Sequence, residues 1–108
     1  LEPTTLSFDR TLHNFGKIKE GEKVKTVFRF KNTGNKPLII SNATGSCGCT
    51  VPKWPQKPVQ PGASDEIAVE FNSDGKQGEN DKTVTVTANT EPAVNLLTIR
   101  ATVNPKDK

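Results

Sequence analysis

This chain of 108 residues has no methionine, no tyrosine, one tryptophan, one histidine and two cysteines. Each shortage closes a route. A structural zinc site wants four Cys or His ligands, and His13, Cys47 and Cys49 are the whole supply. Base-stacking surfaces need aromatic platforms, and the aromatics here are five phenylalanines and Trp54. No apolar run comes near the roughly 20 residues that cross a bilayer as a helix. No stretch of a dozen residues spaces its apolar side chains at i, i+3, i+4 and i+7, and eight prolines punctuate the chain. Helices are therefore not expected. The chain begins at Leu1 and has no methionine, so a leader or lipid anchor is expected upstream of it.

Hydrophobic residues make up 31% of the chain, below the usual share for a globular domain, so the core must be thin. Two facing sheets suit a thin core, because each strand buries only every second residue. The length is that of one domain. It is expected to span residues 1–108, packed over about 5–103, with a frayed tail at 104–108. Fifteen basic and twelve acidic residues leave a net charge of +3. The lysines are scattered rather than gathered in a stripe. Without that electrostatic footprint, no nucleic-acid partner is expected.

Alternation with a period of two recurs along the chain. Thr5–Phe8 reads as a short strand with Leu6 and Phe8 on one face, and Leu12–Phe15 as its continuation past a kink. Lys17–Glu22 reads as a turn. Lys23–Asn32 is the clearest strand: Val24, Thr26, Phe28 and Phe30 share one face, and Lys23, Lys25, Arg29 and Lys31 the other. Val27 breaks that pattern. Thr33–Pro37 is a turn in which Gly34 and Asn35 tolerate positive φ. Leu38–Asn42 reads as strand. Thr44–Ser64 then forms a loop holding four prolines, Cys47, Cys49 and Trp54. A loop of that length is usually functional or hides a short strand, for which Cys49–Val51 is the candidate. Asp65–Asn72 turns Ile67, Val69 and Phe71 inward. After a polar loop over Ser73–Asp81, Lys82–Asn89 buries Val84, Val86 and Ala88. Val94–Val103 buries Leu97, Ile99, Ala101 and Val103. About seven strands with turns every 8–12 residues predict an all-β, immunoglobulin-like β-sandwich.

Several segments also stand in one recognisable order: Phe15-Gly16, Glu20-Gly21-Glu22, Phe28-Arg29-Phe30-Lys31-Asn32-Thr33-Gly34, Pro37-Leu38-Ile39-Ile40, Ser46-Cys47-Gly48-Cys49-Thr50, Trp54-Pro55, Pro61-Gly62 and Phe71-Asn72-Ser73. Through them, roughly residues 8–103 resemble the DUF1573 family, a family of unknown function frequent in Bacteroidetes. The resemblance implies an immunoglobulin-like sandwich related to domains of abnormal-spindle, hydin and major-sperm-protein-like proteins. It also implies export, as a periplasmic or surface lipoprotein. It brings no catalytic residues.

Cys47-Gly48-Cys49 is the sharpest local signal, and three readings stand side by side. The first is a local disulfide. In extended chain the two Cα atoms lie about 7 Å apart, at the edge of what a disulfide tolerates, and Gly48 lets the backbone bend to bring them closer. So small a loop adds little stability when closed, and such a bond is readily reduced. The second is a pair of reduced, partly buried thiols that simply pack. The third is a redox dithiol or a soft copper(I) site, motivated by spacing alone.

Trp54 is expected to lie as a lid over one end of the core, which makes its loop the candidate interaction loop. His13, on a strand, reads as a surface or packing residue. Asp74, Glu79 and Asp81 surround Gly75 and Gly78 without the spacing of an EF-hand, and read as a solvated hairpin. Asp65 and Glu66 are adjacent on a strand, point to opposite faces, and cannot act as a local carboxylate pair. Asn42-Ala43-Thr44 is formally a glycosylation sequon.

No nucleophile–base set, metal cluster or phosphate loop is in view. The chain is therefore expected to be a non-enzymatic interaction or structural domain of an exported bacterial protein. A protein or a glycan is the expected partner, with no cofactor, catalytic residue or metal site. The alternative is a thiol-redox or copper-binding module that uses Cys47-Gly48-Cys49.

Overall fold

The computed structural model describes residues 2–105. Most of the expected tail, 106–108, lies outside the described residues. The strands are β1 (Leu6–Phe8), β2 (Leu12–Lys19), β3 (Lys23–Asn32), β4 (Ile40–Gly45), β5 (Thr50–Lys53), β6 (Ser64–Asn72), β7 (Gly78–Ala88) and β8 (Val94–Asn104). They form two four-stranded sheets, ordered β1-β3-β6-β5 and β2-β8-β7-β4. Neighbours pair antiparallel except β2 and β8, which run parallel. The result is an immunoglobulin-like β-sandwich.

The alternating strands build the core. Phe28 and Phe30 of β3 and Ile67, Val69 and Phe71 of β6 line one inner face. Val84, Val86 and Ala88 of β7, with Leu97, Ile99, Ala101 and Val103 of β8, line the other. Each large side chain so buried contributes roughly 1.5–3 kcal/mol. Val24 is only partly buried at the rim, and Phe8 packs edge-on against Phe30 with ring centroids 5.9 Å apart. Val27 points to the outer face and is half-buried there; its carbonyl accepts a hydrogen bond from Arg10 Nη2 at 3.1 Å.

Five expectations about element boundaries are corrected. Leu12–Phe15 does not continue β1: the chain crosses to the other sheet at Asp9–Thr11, because β1 pairs with β3 while β2 pairs with β8. Nor does a turn span Lys17–Glu22. β2 runs to Lys19, where Ile18 is buried opposite Val103, and a turn there would expose it. A bulge between Asn14 and Lys17, with Gly16 at φ 75°, masks the period. Leu38 is not part of β4. It exchanges backbone hydrogen bonds of 2.9 and 2.8 Å with Val59, and the strand proper extends to Gly45. The strand hidden in the long loop is Thr50–Lys53 rather than Cys49–Val51. Finally, β7 begins at Gly78, since its ladder to β8 continues down to the Gly78–Val103 pair.

Candidate functional site

Two crossings between the sheets carry the residues of interest. The first joins β3 to β4 and is organised by Asn32, whose side chain is fully buried. Its Oδ1 accepts hydrogen bonds from Thr4 Oγ1 at 2.9 Å and from Gly34 N–H at 3.0 Å. Its Nδ2 donates to the carbonyls of Lys36 at 2.7 Å and Val59 at 2.9 Å. Its backbone is tied as well, with Asn32 N–H on Ala63 O and Gly62 N–H on Asn32 O, each at 2.9 Å. A buried amide is tolerated only when its polar atoms are satisfied, and this one is. Gly34 lies so close to Thr4 and the backbone nitrogen of Thr5 that a Cβ there would overlap both. Nothing in the sequence singled out Asn32. The signal was faint: an amide at the end of a strand whose preceding alternate positions are apolar.

The second crossing joins β4 to β5, edge strand to edge strand, through Ser46–Cys49. Cys47 and Cys49 are joined in a disulfide with their Cα atoms 5.2 Å apart. That is closer than extended backbone allows and follows from the bend at exposed Gly48. Both cysteines are half-buried, and Cys49 packs against the core. The two Sγ atoms each lie 3.8 Å from the hydroxyl of Thr50, a buried residue. Hydrogen bonds outside the disulfide hold the crossing. Ser46 N–H donates to Thr83 O at 2.8 Å, Thr50 N–H to Cys47 O at 3.2 Å and Asn72 N–H to Cys49 O at 2.8 Å. Thr83 N–H returns a bond to Ser46 Oγ at 3.1 Å. At Gly45 the two sheets approach so closely that a Cβ would overlap the carbonyl of Thr50.

The other residues singled out from the sequence lie apart. Trp54 follows β5, is half-buried, and packs against the rim of the core. His13 packs edge-on against Phe15 at 4.6 Å between ring centroids, and its Nδ1 is hydrogen-bonded to Arg10 Nη1. Partial burial, and secondarily the Arg10 charge, hold its pKa below the usual histidine value. A neutral ring accepting at Nδ1 fits an arginine donor. Asp81 is held by Arg100, with Nε to Oδ1 at 2.8 Å, across the β7–β8 ladder. That hydrogen bond lowers the Asp81 pKa. Among the described residues, no three His, Cys, Asp or Glu side chains gather where they could hold a metal ion. The sequon Asn42-Ala43-Thr44 lies on β4, with Asn42 and Thr44 exposed. No helix among the described residues is long and apolar enough to cross a membrane.

Comparison with solved structures gives the same fold at low identity. A protein of unknown function from Porphyromonas gingivalis W83 superposes with a TM-score of 0.81 and 16% identity, over 94% of this chain and 47% of that one. This chain therefore spans about half the length of that protein. The ASH / PapD-like domain 7 of human CEP192 superposes at 0.77 with 8% identity, over 97% and 89%. The E. coli chaperone DraB does so at 0.63 with 12% identity, over 97% and 57%. No curated protein matches. A family model described as "Protein of unknown function (DUF1573)" matches residues 6–103, nearly the whole chain, with the Asn32 and Cys47–Cys49 crossings inside it. The chain belongs to the DUF1573 family.

Proposed function

We propose that this chain is a non-enzymatic protein-binding domain of an exported or cell-surface protein. One observation carries the reading. The outer face of the β2-β8-β7-β4 sheet presents Leu12, Val94 and Leu96 at 44%, 49% and 58% exposure. Val94 and Leu96 alternate along β8, and Leu12 sits opposite Thr98, one step further on. Thr87 and Thr85 stand opposite Val94 and Leu96 on β7, followed by Asn42 and Thr44 on β4. This half of the face carries no charge, and exposed apolar side chains grouped on one face mark interaction surfaces. The fold is a common scaffold for such surfaces, which is support by analogy only. Export rests on the Cys47–Cys49 disulfide, because disulfides persist in oxidising compartments, and on the family resemblance.

The test is site-specific photo-crosslinking in the native host. A crosslinker at position 96 is expected to capture a defined partner, and one at position 29, on the opposite outer face, is not. Equal or absent capture at the two positions contradicts the reading. A fusion to a reporter that is active only outside the cytoplasm tests export.

A further inference from the structure

The Cys47–Cys49 disulfide closes a loop of three residues between two strands that the fold already holds together. The crossing is anchored on both sides without it. Ser46 and Thr83 are hydrogen-bonded twice, Thr50 N–H is on Cys47 O, and Asn72 N–H is on Cys49 O. A cross-link over so short a loop removes little entropy from the unfolded chain. It also links no two elements that would otherwise separate. None of those anchors passes through a sulfur. The loop is approachable as well: Gly48 is exposed, with nothing within 4 Å of where a Cβ would stand, and both cysteines are half-exposed. The Thr50 hydroxyl stands 3.8 Å from either sulfur, where it can donate to whichever sulfur leaves as thiolate.

We propose that Cys47-Gly48-Cys49 is a thiol–disulfide exchange centre that accepts an electron pair from external thiols while the sandwich stays folded. A thiolate attacks one sulfur of the pair. A new S–S bond forms to the incoming sulfur, the Cys47–Cys49 bond breaks, and its electron pair leaves on the other cysteine, which takes up a proton. A second external thiolate then attacks the incoming sulfur and releases the first cysteine, which is protonated in turn. The external thiols end as a disulfide and the chain as two thiols, so two electrons and two protons have moved. The exchange is stoichiometric, one pair per chain. It does not rest on the exposed Leu12, Val94 and Leu96 that carry the protein-binding reading, although the export part of that reading uses the same disulfide.

The experiment uses the full chain without denaturant, equilibrated against graded ratios of reduced and oxidised glutathione. Thiols are blocked with iodoacetamide and counted by mass, and far-UV circular dichroism is recorded in parallel. The expected result is reversible passage between no labelled thiol and two labelled thiols, with the β-sheet spectrum unchanged. The Cys49→Ser chain is expected to form a one-to-one mixed disulfide with oxidised glutathione through Cys47. The proposal is overturned if the disulfide resists an excess of reduced glutathione, if the thiols fail to reclose in oxidised glutathione, or if reduction abolishes the sheet spectrum. A folded chain that is inert to glutathione but still crosslinks through position 96 sinks this proposal and leaves the protein-binding reading standing.

Discussion

The two crossings solve the same problem by different chemistry. Each carries the chain from one sheet to the other, and each needs a glycine where the backbones come too close for a Cβ, Gly34 in one and Gly45 in the other. The β3–β4 crossing is fixed by a buried amide with four side-chain hydrogen bonds. The β4–β5 crossing is fixed by backbone hydrogen bonds and carries a covalent bond besides. The covalent bond is thus expected to contribute less to stability than the buried amide. Asn32 joins the N-terminal segment, the turn and the 54–63 loop, which are remote in sequence, whereas the disulfide joins residues two apart.

Removing the amide should have the largest effect. Asn32→Ala leaves the buried Thr4 hydroxyl and Gly34 N–H without their acceptor and the Lys36 carbonyl without its donor, while Val59 O keeps only the Leu38 N–H. At about 1–3 kcal/mol per buried group left unsatisfied, discounted for partial rearrangement, a loss of about 3–4 kcal/mol is expected in urea unfolding. Asn32→Asp should be at least as costly, because it sets a buried carboxylate oxygen against the two carbonyls that Nδ2 donates to. Next come the glycines. Gly45→Ala should cost about 2–3 kcal/mol, since the overlap is with the Thr50 backbone, which has no rotamer to escape into. Gly34→Ala should cost less, because one of its neighbours is the movable Thr4 hydroxyl. A reversal of that order would show that the β3–β4 crossing is the more rigid of the two.

The paired substitution Cys47→Ser/Cys49→Ser should cost at most about 1.5 kcal/mol, the chain-entropy value for a three-residue loop. If it costs as much as Asn32→Ala, the contrast between the crossings fails. The smallest effect concerns pH. His13 has a folded pKa below its unfolded value, so the unfolded chain binds the extra proton first. Stability is then complete above the unfolded value near 6.5 and falls as pH drops through the window below it. His13→Gln should flatten that part of the stability profile, as read from thermal midpoints across pH.

Of the strands that pair on both sides, β3, β6 and β8 were legible in the sequence, and β7 only from Lys82 onward, its Gly78–Asp81 start having read as loop. β3, β6 and β8 each have one face on the core and one toward solvent, and the period of two announces it. The edge strands were not so clear. β2 is interrupted by a bulge at Gly16, β4 starts with one at Ser41, and β5 is four residues long and contains Pro52. Leu38 and Val59 are buried by an isolated bridge that no local pattern signals. Of the candidate site, Cys47, Cys49 and Trp54 stood out by residue type. Their spacing left oxidised and reduced states equally open, and only the bend at Gly48 decides between them. Asn32 was invisible because its importance lies in partners 27 and 28 residues away along the chain. The apolar face of Leu12, Val94 and Leu96 needed the parallel β2–β8 pairing, which period-two reading cannot foresee.

Thermal unfolding of the unmodified chain, oxidised and after reduction with thiols counted in the same sample, measures whether the sandwich stands without its disulfide. A folded, cooperatively melting protein is expected in both states, with the reduced midpoint lower by at most about 10 °C. A reduced chain that has lost its β-sheet signal at 25 °C would contradict that expectation.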